Sequence, residues 1–256
     1  MTISLNSQIQ KLVLTKKFYV SRKNSSKKGK YWQPKTDPDG KIRDRLTNFE
    51  RVKFIKNNRA LIKDIKNFKP KNILDIGCGP GFLLSALDKS KYNLYGIEND
   101  INATEYAKRY ATIVRHNLNR KLLLTKLKFD LIIINQVIEH VKKPENLLKI
   151  AKKNLKKRGI LIIGTPDFDC LMARLYLNKF RMLHDKTHVS LFSRDSLSRF
   201  LNYMGFEVIK IDYPYFDTEY FQKYKKKKLE NIFDIKNKVS PPFYGNIMNL
   251  YARFKR

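Results

Sequence analysis

Apolar residues fall along the chain in two patterns, one typical of buried strands and one typical of helices. The run 131–134, a leucine followed by three isoleucines, is continuously apolar, as expected of a strand buried on both faces. Over 48–68 apolar residues recur at helical spacing, which predicts a helix. The predicted strands are 72–76, 93–97, 112–114, 129–134, 159–163, 206–212 and 245–253, and the other predicted helices are 81–89, 101–110, 144–157 and 194–204.

Strands and helices alternate from residue 72 onward, which is typical of βαβ units. Pro144 at the start of one predicted helix and Gly159 just past its end fit the usual positions of these residues. The sequence therefore predicts an α/β fold with a doubly wound, mostly parallel sheet of seven strands.

Two segments differ in composition from this alternating part. Residues 1–47 are basic and predict an arm or lid with local order around Tyr31 and Trp32. Residues 48–256 are predicted to form the main domain. Within it, residues 213–244 predict an insertion, since aromatic residues at 213–224 are followed by four lysines at 225–228.

The chain is strongly basic, with a formal net charge of +31 and a sequence pI of about 10.0. Such a charge attracts polyanions, which makes nucleic acid, the anionic surface of a membrane and acidic glycans candidate partners. The abundance of Lys, Asn, Ile and Tyr also fits an AT-rich coding sequence, in which case the charge is a solvated surface without a partner. Composition leaves both interpretations open.

Cysteine content and hydropathy bear on the compartment. The two cysteines, Cys78 and Cys170, have no metal-binding spacing and favour a reducing environment. The N-terminal residues are polar and lack a secretory pattern, and no apolar run approaches the roughly 18 residues needed to span a bilayer. We expect a cytoplasmic protein.

A glycine-rich loop follows the first predicted strand of the sheet. Asp75, Gly77, Gly79 and Gly81 are spaced two apart and precede a predicted helix. Glycines there allow a tight turn and a close approach to a ligand at the carboxyl end of the strand. The spacing differs from the dinucleotide pattern Gly-x-Gly-x-x-Gly. The segment 75–81, with Cys78 inside it, therefore predicts a nucleotide site of another kind.

Glu98 ends the next predicted strand, 17 residues after Gly81. A carboxylate at this point can accept hydrogen bonds from both hydroxyls of a ribose, as the acidic residue of dinucleotide folds does. Asn99 follows it directly. The alternative is that Glu98 is a solvated acid at a strand end.

Residues 70–165 resemble the class I methyltransferases that use S-adenosylmethionine (SAM), in particular the group similar to ubiquinone-biosynthesis O-methyltransferases. The resemblance rests on the glycine loop, on Glu98 and on 135–141, Asn-Gln-Val-Ile-Glu-His-Val. It implies that SAM is the cofactor and that Asn117 lies beside adenine, where the family usually has Asp. Implied donor-binding residues are Asp75, Gly77, Cys78, Gly79, Gly81, Glu98, Asn99, Asn117 and, through the backbone at the methionine part, Asn135, Gln136 and Val137.

Two histidine-containing segments are candidates for proton transfer. Glu139 and His140 form an acid–imidazole pair, but the family carries it with many substrates, so ordering of the following turn is the preferred interpretation. His184, Asp185 and His188 resemble a His-Asp-x-Thr-His stretch on the acceptor side of the cleft. We predict His184 or His188 as general base, oriented by Asp185. A structural role is the alternative, and no metal site is predicted, since no further ligand has diagnostic spacing.

The resemblance implies in-line methyl transfer, in which the protein holds acceptor, methyl and sulfur collinear. Enzymes that methylate adenine typically have Asn-Pro-Pro-Tyr where this chain has Asn-Gln-Val-Ile at 135–138. We therefore expect O-methylation of a small molecule, a sugar or glycan, or a lipid precursor. RNA methylation through the basic surface and aromatic stacking is the alternative, and a non-catalytic SAM-binding module is another.

Overall fold

A computed structural model describes residues 18–21, 44–118, 127–224, 236 and 238–255. Most of the predicted basic arm, including Tyr31 and Trp32, and the lysines at 225–228 lie outside these residues. Those two predictions therefore stay predictions. Within the described ranges, no helix is long and apolar enough to cross a membrane.

Strands and helices alternate over most of the described chain. The strands are β1 (Val20–Ser21), β2 (Asn72–Ile76), β3 (Asn93–Glu98), β4 (Thr112–Arg115), β5 (Phe129–Asn135), β6 (Leu155–Pro166), β7 (Ser190–Leu191), β8 (Phe206–Asp212) and β9 (Ile247–Phe254). The α-helices are α1 (Asp44–Asn57), α2 (Arg59–Asn67), α3 (Ile101–Ala107), α4 (Pro144–Asn154), α5 (Leu171–Tyr176), α6 (Arg194–Tyr203) and α7 (Glu219–Tyr224).

Seven strands form one sheet in the order β4-β3-β2-β5-β6-β9-β8. The first five are mutually parallel, and β9 is antiparallel to both β6 and β8. The predicted α/β fold with a mostly parallel seven-stranded sheet is confirmed. Asp75 of β2 pairs with both Gly96 of β3 and Ile133 of β5, so the carboxyl ends of these central strands reach the same edge.

The sheet is buried on both faces, as the apolar run of β5 predicts. Ile132 and Ile134 belong to one core cluster, which includes residues of α4 and α6. Leu131 and Ile133 point to the opposite face and join residues of α2. Because neighbouring residues of a strand point to opposite faces, this division accounts for the absence of polar positions in the run.

The helical predictions hold less well than the strands. The predicted helix 48–68 is two helices, because the backbone leaves helical geometry at Asn58, whose side chain donates to the Phe54 carbonyl. The predicted helix 81–89 is wrong: only a short 3-10 turn, Leu84–Ala86, forms there. Ser85 donates its hydroxyl to the Phe82 carbonyl, and such local bonds compete with helix continuation.

The junction of α4 and β6 also differs from the prediction. Helix 144–157 was expected, but α4 ends at Asn154, whose side chain donates to the Ile150 carbonyl, and Leu155 already pairs with Phe129 of β5. The predicted start at Pro144 is confirmed.

Ser193 caps α6 through a reciprocal pair of hydrogen bonds. Its hydroxyl accepts from the Ser196 N–H, and the Ser196 hydroxyl accepts from the Ser193 N–H. We expect Ser193→Ala to lower the free energy of unfolding by about 1 kcal/mol, measured by urea denaturation. Ser198→Ala is the matched control, since that exposed hydroxyl only contacts a carbonyl of the same helix. Equal loss in both variants would contradict the capping role.

Candidate cofactor and acceptor site

The glycine loop is bound to the end of the neighbouring strand. The N–H groups of Gly77 and Cys78 both donate to the Ile97 carbonyl, at 2.7 and 3.1 Å. Gly77, Gly79 and Gly81 all have positive φ, between +53° and +76°. A Cβ at Gly81 would lie 3.1 Å from the Cβ of Ala107, so this glycine serves packing of the loop against the end of α3.

Glu98 accepts hydrogen bonds from the backbone of the glycine loop and from the two residues that follow it in the chain. Its Oε2 accepts from the Gly79 N–H at 2.9 Å, and its Oε1 accepts from the N–H groups of Asn99 at 2.7 Å and Asp100 at 2.9 Å. Three backbone donors therefore hold one carboxylate at the carboxyl end of β3. Ribose binding by Glu98 stays a prediction.

A cavity of about 210 Å³ opens beside Glu98. It has the shape of a cleft between the glycine loop and the segment after β5. Its lining residues are Gly77, Gly79, Glu98, Asn99, Asp100, Ala103, Asn117, Leu118, Gln136, Val137, His140 and Val141. We call it the donor cavity.

Seven of the predicted donor-binding residues line this cavity, and four do not. Asp75 and Cys78 are buried below the loop, Gly81 packs on α3, and Asn135 lines a second cavity. Burial, followed by the negative charge of Glu98, raises the pKa of Asp75 to about 7. The seven predicted residues that line the donor cavity are Gly77, Gly79, Glu98, Asn99, Asn117, Gln136 and Val137.

Asp100 lines the donor cavity and caps α3, and it was not among the residues predicted from the sequence. Its Oδ1 accepts from the Ala103 N–H at 2.9 Å. An Asp immediately before a helical apolar pattern is the usual N-cap signal, and that signal identifies this position.

The second, larger cavity measures about 300 Å³ and shares Gln136 with the donor cavity. Gln136 has φ +56°, and its N–H donates to the Gly164 carbonyl at 2.7 Å. The other residues that line the second cavity are Phe54, Asn57, Asn58, Asn135, Arg181, Met182, Pro214, Tyr215, Thr218, Tyr220, Pro242, Phe243, Asn246, Ile247 and Asn249. We call it the acceptor cavity.

A family model described as a methyltransferase domain matches residues 49–211, which is more than half of the chain. This chain belongs to the methyltransferase domain family. The predicted recognition as a class I SAM-dependent methyltransferase is thereby confirmed, and SAM is the methyl donor of that class.

Curated relatives of this methyltransferase share its central part. It is 35% identical over 159 residues to a ubiquinone biosynthesis O-methyltransferase of Pelagibacter ubique, covering 57% of this chain and 65% of that protein. It is 31% identical over 136 residues to the protein of the same name from Coxiella burnetii, covering 50% and 55%. The chain thus spans less than two thirds of the length of either relative.

Solved structures show the same fold. An SAM-dependent methyltransferase from Thermotoga maritima matches with a TM-score of 0.56 at 21% identity, covering 83% of this chain and 98% of that one. A plantazolicin methyltransferase in complex with S-adenosylhomocysteine (SAH), the product left by SAM, matches with a TM-score of 0.53 at 19% identity. The match covers 86% of this chain and 91% of that one. At such identities the likeness concerns the fold alone.

The residues predicted to act in proton transfer, His184, Asp185 and His188, are not among the described residues that line either cavity. His188 is buried, and its Nδ1 lies 2.7 Å from the Met182 carbonyl oxygen. Asp185 accepts from the N–H and hydroxyl of Thr187 through Oδ1, and its Oδ2 lies 3.7 Å from His188 Nε2. His184 begins this segment, and its N–H donates to the Arg181 carbonyl. A base role for these residues stays a prediction.

Glu139 and His140 anchor the segment after β5. Glu139 is completely buried, its Oε2 accepts from the Thr165 hydroxyl at 3.0 Å, and its carbonyl accepts from the Val189 N–H. Burial raises the pKa of Glu139 to about 8. Burial, followed by the neighbouring His188, lowers the pKa of His140, which also lines the donor cavity. These bonds support the interpretation that the pair orders the turn before α4.

Proposed function

We propose that this methyltransferase transfers the methyl group of SAM to an oxygen atom of a hydroxyl-bearing acceptor: a small molecule, a sugar or glycan, or a lipid precursor. The observation that carries the proposal is that the donor and acceptor cavities share one lining residue, Gln136. Transfer is an in-line displacement, so donor and acceptor have to occupy adjoining spaces.

The lining of the acceptor cavity supports an acceptor rich in hydroxyl groups. Side-chain amides both donate and accept hydrogen bonds, as hydroxyl groups do, and aromatic faces cover the rings of sugars and phenols. Arg181 carries the only formal charge among the described lining residues. The amides are Asn57, Asn58, Asn135, Gln136, Asn246 and Asn249, and the aromatic residues are Phe54, Tyr215, Tyr220 and Phe243.

The names of the relatives support oxygen as the accepting atom. Both the Pelagibacter and the Coxiella proteins are named O-methyltransferases of ubiquinone biosynthesis. A hydroxyl acceptor has to lose its proton during transfer. We propose that one of the imidazoles near the cavities, His184 or His188 with Asp185 as predicted, assists this step.

Incubation of the protein with methyl-labelled SAM and fractionated cell extract tests the proposal. We expect label in a low-mass, lipid or glycan fraction, stable to mild base as an ether is and unaffected by nuclease. Label lost after RNase treatment would establish the RNA alternative instead. Binding of SAH without transfer to any fraction would favour the non-catalytic module.

Tyr220 offers a test of the acceptor cavity. It lies on α7, is 45% exposed and lines this cavity but not the donor cavity. We expect Tyr220→Ala to lower the transfer rate at limiting acceptor about tenfold, because a stacking contact is lost, and to leave SAH affinity unchanged. Tyr203→Ala, at a 73% exposed position outside both linings, is the matched control. Loss of SAH affinity in Tyr220→Ala would contradict this assignment.

A cytoplasmic location also stays a prediction. It is supported by Cys78 and Cys170, both of which are buried free thiols.

A further inference from the structure

Three potential metal-binding side chains converge beside the donor cavity. One carboxylate oxygen of Glu139 and one ring nitrogen each of His140 and His188 lie within 4.8 Å of one another. The two imidazole ring centroids are 4.9 Å apart. Glu139 and His140 lie in the turn after β5, whereas His188 lies just before β7.

Glu139 contributes an oxygen that the fold leaves without a partner. The residue has no exposed surface, and its Oε1 accepts no hydrogen bond within the part of the chain that the structure describes. His140 Nε2 lies 3.9 Å from this oxygen. A buried polar atom without a partner is costly and rare, so this oxygen is expected to bind a group that the chain itself does not supply.

The hydrogen bonds made by Nδ1 of the two imidazoles identify Nε2 as the unprotonated nitrogen of each neutral ring. His188 Nδ1 lies 2.7 Å from the Met182 carbonyl oxygen, which can only accept, so Nδ1 carries the proton. The Thr187 hydroxyl donates a hydrogen bond to Asp185 Oδ1 at 2.6 Å. Its oxygen therefore accepts a hydrogen bond from the N–H at His140 Nδ1, at 2.9 Å. Histidines that bind metals characteristically donate their second ring N–H in this way.

We propose that Glu139, His140 and His188 bind one divalent transition-metal ion, with Zn²⁺ as the best fit. Two imidazoles and one carboxylate suit zinc and similar ions, whereas magnesium and calcium prefer oxygen ligands alone. Ligands in a tetrahedral zinc site are about 3.4 Å apart, so small side-chain movements bring the three atoms into range. Three protein ligands leave a coordination position open, as catalytic zinc sites do.

The open position has a function that rests on the proposed methyl transfer. His140 lines the donor cavity, and Met182, which holds His188, lines the acceptor cavity. A metal ion bound there takes up His188, which leaves His184 as the proposed general base, and an acceptor oxygen bound to the ion would lose its proton more readily. Metal binding itself does not depend on this role.

The direct test is zinc binding by the full chain, produced without a histidine tag and stripped with a chelator. Calorimetry with Zn²⁺ is expected to give one site per chain, and Co²⁺ is expected to give a visible absorption band of a low-coordinate site. Both measurements are made without SAM and acceptor. A failed methyl-transfer assay therefore leaves the metal proposal standing, and absence of metal binding leaves the proposed transfer standing.

Variants distinguish this site from adventitious binding. We expect Glu139→Gln and His188→Gln each to weaken Zn²⁺ binding at least tenfold, since each removes one of three ligands, and His184→Gln to leave it unchanged. His140→Asn, at a partly exposed position, gives a further readout if a buried variant fails to fold, and thermal unfolding reports folding in every case. No binding by the wild type, or equal affinity in the wild type and all three ligand variants, would overturn the proposal.

Discussion

Replacing Glu98 with alanine is expected to weaken binding of SAH about 100-fold, measured by calorimetry. The carboxylate lines the donor cavity and accepts from the N–H groups of Gly79, Asn99 and Asp100. Hydrogen bonds to a charged group contribute about 1.5–3 kcal/mol each, and a 100-fold change corresponds to about 2.7 kcal/mol. The substitution removes both the predicted ribose contact and the bond that fixes the loop at Gly79.

Glu105→Ala is the matched control for Glu98→Ala. Glu105 lies on the exposed side of α3, pairs with Lys108 at 2.7 Å and does not line the donor cavity, so its loss is expected to leave SAH affinity unchanged. Retention of full affinity by Glu98→Ala would show that the carboxylate does not take part in donor binding. Thermal unfolding of each variant separates a local effect from a loss of folded protein.

The second large effect is expected at Gly77. It has φ +76°, and an added Cβ would lie 2.5 Å from Cγ2 of Val137. Left-handed backbone costs a residue with a side chain about 1–2 kcal/mol, and overpacking typically costs about 1–3 kcal/mol more. We therefore expect Gly77→Ala to lower the free energy of unfolding by about 3 kcal/mol, measured by urea denaturation.

Gly79 offers the comparison that separates the two contributions. It also has positive φ, +53°, but an added Cβ would meet nothing within 4 Å. Gly79→Ala is therefore expected to cost only the backbone share, about 1 kcal/mol. If both variants lose the same free energy of unfolding, the contact with Val137 adds nothing to the cost of a side chain at position 77.

The strands were predictable from the sequence because their signals are local. Strand 72–76 was predicted with its observed bounds, and the apolar run of β5 indicated burial on both faces. The helix predicted at 81–89 failed even though Leu83, Leu84 and Leu87 have helical spacing: these side chains fill the core beside α2, and the backbone forms only the 3-10 turn Leu84–Ala86. Tertiary packing overrides local propensity in such a segment.

The site was predictable only where its residues follow consecutive strands. Glu98 and Gly79 could be identified because the carboxyl ends of β2 and β3 share one edge of the sheet. Glu139 and His188 are far apart in sequence and meet only because the Val189 N–H donates to the Glu139 carbonyl. The acceptor cavity likewise combines the break at Asn58 with residues near the C-terminal strand, and no sequence motif marks that combination.

The position of β9 has a consequence for how the chain folds during its synthesis. β9 lies between β6 and β8, both of which leave the ribosome before it. Until residue 254 has emerged, β6 lacks its neighbour on that side and β8 has no partner in the sheet. Unpaired strand edges of this kind are prone to association with other chains. Closure of the sheet in the nascent polypeptide therefore waits for β9, which is made after both of the strands that it joins.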